Sequence, residues 1–441
     1  MKNESVIANR RSASPESRSD SHGPVERRAF LARGIKVAGA LAAGGVASTA
    51  GAQARAAESL GAQMPAWMTT EGAAMREYGQ PSKFEEPVKR AVAQLYGKLA
   101  PGAGASFTPL QSLKGTITPN GLHFERHHNG VPDIDPARHK LLIHGLVKKP
   151  LAFDVATLMR YPMVSRTCFI ECSANSARNT LPKALDVPCG ALHGLVSCSE
   201  WTGLPLAVLL NEAGVDAGAK WLLAEGADSA TMSRSIPLSK ALDDTLIALY
   251  QNGERLRPEQ GYPMRLLLPG WEGNMNVKWL HRIKLTDGPT HTRDETSRYT
   301  DLMRDGKARQ FTFELGVKSV ITQPSGGMAM QGPGLYELSG LAWSGAGRVT
   351  KVEVSADSGA TWQDAMLQAP VLSKSLTRFR MPWNWNGTQA MLQSRATDEK
   401  GNVQESRAAW SALYSPANRY HNTMIQTWAV NADGSIKNVY A

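Results

Sequence analysis

Cysteine is scarce in this chain and confined to one stretch. Four occur among 441 residues, Cys168, Cys172, Cys189 and Cys198, all between positions 168 and 198. No Cys-x-x-Cys-His is present, so the sequence predicts no haem attached to this chain, and the spacings do not suit a zinc ribbon. Electrons leaving the chain would go to another protein. An oxidising compartment would permit disulfides, and the sequence does not choose among the possible pairings. Downstream of the leader described below, no apolar run reaches the roughly 20 residues of a membrane-spanning helix. No nucleic-acid motif occurs. The regular strand–helix alternation of a doubly wound sheet is also missing.

Charge is unevenly spread. The formal net charge is +10, and residues 1–57 hold nine basic and four acidic side chains. The remainder is mildly basic, a field that suits an anionic substrate or an acidic partner protein. Within the leader, Glu26-Arg27-Arg28-Ala29-Phe30-Leu31-Ala32 forms a twin-arginine pattern. An uncharged stretch from Val37 to Thr49 follows, then small-residue cleavage options at Ala50-Gly51-Ala52 and Ala52-Gln53-Ala54. Charged start, apolar middle and small exit make a signal peptide. The expectation is a periplasmic protein, exported folded by the twin-arginine pathway with a complex cofactor already inserted.

The chain reads as four parts. Residues 1–57 are a disordered start and the signal peptide, and 58–110 an N-terminal arm with a short helix around Glu86–Leu99. Residues 111–312 mix strand-like runs at Lys140–Leu146, Trp221–Ala224, Met264–Leu268 and Val277–Leu285 with one helix, Pro205–Ala213, stopped by Gly214. From 313 to 441 short alternating strands recur, with turn signals at Asp357-Ser358-Gly359 and Asn386-Gly387 and with Trp343 and Trp362 as core candidates. The fold class is α+β: a mixed α+β catalytic domain followed by an all-β, immunoglobulin-like sandwich.

The sharpest local signal is Phe169-Ile170-Glu171-Cys172-Ser173-Ala174-Asn175-Ser176, a cysteine at the end of an apolar strand followed by small polar residues. Such a thiolate could ligate a metal, act as a nucleophile or simply pack. Further segments add to it: Phe124-Glu125-Arg126-His127-His128, then Gly261-Tyr262-Pro263-Met264-Arg265-Leu266-Leu267-Leu268-Pro269-Gly270, then Trp271 through Leu280. In the later region stand Gly340-Leu341-Ala342-Trp343-Ser344-Gly345 and the run Val354 through Trp362. In this order and spacing the chain resembles the sulfite oxidase family of molybdenum enzymes over roughly residues 110–430. Within that family, the run Trp221 through Asp228 and Tyr420-His421-Asn422 are most similar to the molybdenum subunits of sulfane dehydrogenases, which serve the Sox thiosulfate-oxidising system.

The resemblance implies a molybdopterin cofactor, with Cys172 binding molybdenum beside the pterin dithiolene. It implies pterin contacts from Phe124, Glu125, Arg126, His127, His128, Asp228, Gln260, Arg265, Asn276, Val277 and Lys278. Arg126, Tyr299 and Trp201 match residues of the catalytic pocket. A c-type cytochrome subunit would accept electrons, a sulfur-carrier protein of the Sox system would present the substrate, and the sandwich would mediate assembly into a dimer or hetero-oligomer. Two positions depart from the family pattern. Ala177 stands where sulfite oxidases carry a substrate arginine, with Arg178 one place later. Gln260 stands where animal enzymes carry a pterin-contacting histidine, and an amide can hydrogen-bond but not charge. A pocket short of cations favours carrier-bound sulfane over free sulfite. A sulfite dehydrogenase and a catalytically idle cofactor-binding subunit are the alternatives.

Overall fold

The computed structural model describes residues 65–94 and 102–441. The twin-arginine segment, its apolar stretch, the cleavage options and residues 1–24 lie outside the described residues. The chain divides after Gln80. Of the first unit, residues 65–80 are described. They form one 3-10 turn, Ala66–Met68, and expose Trp67, Met68, Met75 and Tyr78. Among the described residues no helix is long and apolar enough to cross a membrane.

In the second unit, the helix expected around Glu86–Leu99 is overturned where the chain is described. Ser82 caps a single 3-10 turn at Lys83–Glu85, and Ala91–Gln94 is a strand. Pro87 removes a backbone donor from any helix there, and pairing with Gly104–Phe107 takes up the later backbone groups instead. Leu95 to Leu99 lie outside the described residues. Gly104–Phe107 pairs in turn with Glu125–His127, placing Ala105 opposite Arg126.

Two larger sheets carry the rest of the first layer. In one, all antiparallel, Val164–Glu171 pairs with Val196–Pro205, which pairs with Leu246–Gln251; Arg265–Leu267 adds to the latter, with Ala248 opposite Arg265. The other runs Leu151–Asp154, Lys140–Gly145, Leu280–Thr286, Trp221–Gly226, Ser233–Pro237, with one parallel pair between Lys140–Gly145 and Leu280–Thr286. The period of two is visible in Lys140–Gly145, where Leu141 and Ile143 are buried and Lys140 and Leu142 exposed. The helix Leu206–Ala213 buries Leu206, Leu209, Leu210 and Ala213, one apolar stripe, and ends at Gly214 with φ +69°.

The later region is a two-sheet sandwich. One sheet holds Lys318–Gln323, Gly334–Trp343, Thr377–Trp385 and Met366–Leu367; the other holds Gln363–Asp364, Val349–Ser355, Ala390–Asp398, Thr427–Val430 and Ile436–Val439. Asp357-Ser358-Gly359 turns a hairpin, with Ser358 and Gly359 both at positive φ. Asn386-Gly387 instead carries the chain from one sheet to the other. Trp343 is fully buried, whereas Trp362 is only half-buried beneath the Arg395 guanidinium. The sandwich core does not close on itself. Phe169, Cys189, Leu192, Val196 and Cys198 of the first layer pack into the same cluster as Val320, Trp343 and Trp428. All four cysteines are free and buried.

Candidate active site

Cys172 is placed by the strand Val164–Glu171, whose last residues Phe169 and Ile170 are buried on opposite faces. The strand ends in a tight loop. The Cys172 N–H donates to Leu195 O at 2.9 Å, Asn175 N–H returns to Cys172 O at 2.8 Å, and Ser176 takes a left-handed φ of 66°. No side chain fits at Gly273, since a Cβ there would meet Glu171 O at 2.8 Å and Cys172 Cα at 3.2 Å. Burial pushes the Cys172 thiol up, and the Arg126 charge opposes that shift.

Two cavities meet at Cys172. The first encloses about 690 Å³, its mouth included, and its wall contains Phe124 through His128, Cys172, Asp228, Gln260, Arg265, Asn276, Val277, Lys278 and Tyr299. These are the residues expected from the sequence, with Trp201 missing. Arg265 is buried and donates to Gln260 O at 3.0 Å, Gln260 Oε1 at 3.3 Å and Asn276 O at 3.0 Å, leaving Nε without a partner. Gln260 Nε2 donates to Phe124 O at 3.0 Å, so the amide ties two pocket segments together. The Asn276 side chain is spent on the backbone, accepting from Leu268 N–H and donating to Glu272 O. Asp228 accepts from Met232 N–H at 3.3 Å.

Lys278 Nζ lies 2.9 Å from His127 Nδ1 and 4.4 Å from the Trp279 ring centre. Because an ammonium only donates, His127 accepts at Nδ1 and donates from Nε2 to Glu125 at 2.8 Å. Burial, then the Lys278 charge, depresses His127 to about 4. Burial depresses His123 and His128 to about 3, with neighbouring cations adding to it. Lys278 falls well below its ordinary value through burial and then Arg265, and burial lowers Arg265 to about 9. Neither cation makes an ion pair among the described residues. Two such cations, Arg265 buried and Lys278 half-buried, neither in an ion pair, fit a phosphorylated ligand. The Cys172 thiol in the cavity wall, the unpartnered His123 Nε2 and Arg265 Nε, and the space kept by Gly273 also fit a pterin-borne metal.

The second cavity, about 940 Å³ with its open mouth included, is lined by Arg126, Cys172, Ala177, Arg178, Arg298, Tyr299 and Tyr420 together with apolar Ala93, Ala105, Phe107, Leu192 and Leu195. Arg126 and Tyr299 belong to both cavities. The Tyr299 hydroxyl lies 3.0 Å from His128 Nε2, with the residue at φ 53°. The cavity is less short of cations than the sequence predicts. Arg178 stacks on Phe107 at 5.4 Å and Arg298 faces the same space. Trp201 is fully buried. It lies behind Arg265 and touches neither cavity, donating from Nε1 to Cys168 O at 3.3 Å. Sequence reasoning also passes over His123, Asn274, Trp279, Arg298 and Tyr420, which line the walls.

Comparisons with known proteins agree with this site. Residues 128–293 match the oxidoreductase molybdopterin binding domain and residues 309–428 the Mo-co oxidoreductase dimerisation domain. Sulfite oxidase of Gallus gallus is 30% identical over 319 residues, which cover 66% of this chain and 69% of that protein. An NADH nitrate reductase of Ulva prolifera is 29% identical over 342 residues, 68% of this chain and 39% of the reductase. The crystal structure of the sulfane dehydrogenase SoxCD from Paracoccus pantotrophus superposes with a TM-score of 0.84 at 45% identity, covering 87% of this chain and 98% of that one. The chain spans 39%, 34% and 62% of the length of three curated relatives it matches. With a molybdopterin-binding domain, a dimerisation domain and a cysteine at the junction of two cavities, the chain belongs to the sulfite oxidase family of molybdenum oxidoreductases.

Proposed function

We propose that this protein is the molybdenum subunit of a periplasmic sulfane dehydrogenase, oxidising sulfane sulfur held on a carrier protein and passing electrons to a separate c-type cytochrome. The observation that carries the reading is the second cavity. It is a wide approach with an open mouth rather than a closed anion pocket, and about half of its lining residues are apolar. That shape suits a sulfur delivered at the end of a tethered arm. The likeness to a sulfane dehydrogenase supports it.

The cofactor, when bound, supplies the two-electron acceptor and the site of oxygen transfer. Each oxygen added to sulfur consumes one water and releases two electrons and two protons. The chain's own residues do the rest. Cys172 ligates the metal. Arg265, Lys278 and the backbone of Phe124 to His128 hold the pterin and its phosphate. Arg126 and Tyr299 line both cavities, where they orient the reacting sulfur and stabilise negative charge on the oxygens it gains. Leu192, Leu195, Ala105 and Phe107 exclude water from the approach.

A sulfite dehydrogenase is the second reading, favoured by three guanidinium groups, Arg126, Arg178 and Arg298, around one cavity. The test is the ratio of catalytic efficiencies on free sulfite and on a carrier-bound persulfide, with cytochrome c as acceptor. A ratio favouring the carrier-bound substrate is expected; a ratio favouring sulfite selects the second reading. A molybdenum-loaded protein that turns over neither substrate selects the idle cofactor-binding subunit.

A further inference from the structure

The loop that bears Cys172 is held from the sandwich. Glu171, the residue just before the cysteine, is 4% exposed and turns its carboxylate away from the cavities. There it accepts from Trp343 Nε1 at 2.7 Å and Lys318 Nζ at 3.3 Å, both sandwich residues. Lys318 is 2% exposed and Trp343 fully buried. The same ammonium donates to Ser176 Oγ at 2.8 Å, on the far side of the loop. Asn175 closes the circuit, donating from Nδ2 to Glu171 at 2.8 Å and accepting from Leu195 N–H at 3.1 Å. Two residues near the end of the chain grip the loop backbone. His421 N–H donates to Ser173 O at 2.8 Å and Asn422 Nδ2 to Ser176 O at 3.1 Å. Every residue from Glu171 to Ser176 except Cys172 and Ala174 is thus bonded by side chain or carbonyl to this network.

We infer that Lys318 and Trp343 are positioning residues for the metal ligand: through Glu171 and Ser176 the sandwich fixes where the Cys172 sulfur stands, so this domain serves the chemistry as well as assembly. The inference rests on Cys172 ligating molybdenum. The chemistry explains why such a strut is needed. A loop of small side chains has many conformations of similar energy, and a ligand displaced by a fraction of an ångström changes the overlap of sulfur with the metal. A buried ion pair is a poor source of net stability, yet it specifies one arrangement, because any other leaves a charge without its partner. Burial lowers Lys318, and the Glu171 charge opposes that shift.

The experiment compares the wild type with Trp343→Phe, with the double variant Glu171→Gln/Lys318→Met, and with Val352→Ala, a buried sandwich position far in sequence from the loop contacts. The double variant removes both charges together, so neither is stranded. Each protein is purified with its cofactor. Molybdenum content, thermal midpoint and the electron paramagnetic resonance spectrum of the singly reduced metal are recorded. The expected result is a shifted metal spectrum in Trp343→Phe and in the double variant, and a wild-type spectrum in Val352→Ala whatever its thermal midpoint. Metal-loaded Trp343→Phe with an unshifted spectrum overturns the inference, as does an equal shift in Val352→Ala. A wild-type protein that holds no molybdenum sinks the functional reading itself, which separates the two failures.

Discussion

The guanidinium of Arg265 lies 5.0 Å from the ring centre of Trp201, face on, and the indole backs it against the strand Val164–Glu171. Trp201 supports Arg265, a cation we propose to hold the cofactor, one layer behind the pocket wall. We expect Trp201→Phe to lower molybdenum and pterin content while leaving the substrate KM of the loaded fraction within about twofold; the lost stacking is worth about 0.5–2 kcal/mol. A fully loaded variant with a much raised KM would return Trp201 to the substrate pocket.

Replacing the proposed ligand itself is more drastic. Cys172→Ala is expected to abolish turnover, and Cys172→Ser to fail as well, since a hydroxyl is a harder and weaker ligand. Steady-state rates normalised to molybdenum content decide this. Near-normal activity in loaded Cys172→Ala would remove the cysteine from the metal.

Substrate choice is expected to turn on charge in the second cavity. Arg126→Gln should impair oxidation by on the order of 2–4 kcal/mol, the loss of a charge-assisted contact to the forming oxyanion. Arg178 and Arg298 line the second cavity alone, whereas Arg126 also lines the first, so they do not replace it. Ala177→Arg narrows the approach and adds charge, so it should raise activity on free sulfite relative to carrier-bound sulfane. The ratio of kcat/KM values on the two substrates is the measurement, and an unchanged ratio counts against a tethered substrate.

His421 provides a pH signature. Burial disfavours its charge, but hydrogen bonds and the charges of Asp301 and Glu272 more than compensate and hold it at about 9, above its ordinary 6.5. A raised folded-state value contributes stability that is complete below pH 6.5 and is lost as pH rises toward 9. The wild type should therefore exceed His421→Gln in unfolding free energy by on the order of 3 kcal/mol at pH 6, with the gap closing through pH 9. Denaturant titrations of both proteins across that range test it. A gap that does not change with pH would mean His421 is neutral in the folded protein.

Much of the site is legible in the sequence because its parts are local. Cys172 announces itself where an apolar strand breaks into small polar residues, and Lys278 and Arg265 sit in short segments whose order is informative. What is hidden is hidden by distance. Glu171 and Lys318 are 147 positions apart, and neither carries a pattern that points to the other. Arg298 has no local signal beyond its neighbour Tyr299. Trp201 reads equally well as wall or as backing, since an indole serves both. The expected helix at Glu86–Leu99 fails for a similar reason: its apolar spacing fits a helix, but the partner strand Gly104–Phe107 takes Ala91–Gln94 into a sheet.

Export is testable apart from catalysis. Arg27→Lys together with Arg28→Lys should leave precursor in the cytoplasm, because the twin-arginine route reads both guanidinium groups. Fractionation followed by immunodetection measures it. Undiminished periplasmic protein from the double variant would show that another route carries the chain.

The grip of His421 and Asn422 on the cysteine loop has a consequence for biogenesis. Asn422 is made 246 positions after Ser176, the residue whose carbonyl it holds. A nascent chain whose catalytic layer has already left the ribosome still lacks those two clasps, along with Lys318 and Trp343. The mould for the metal is therefore finished only once residue 422 has been made. Cofactor loading then waits on both layers, and a chain truncated before residue 421 cannot present the completed loop to whatever delivers the metal.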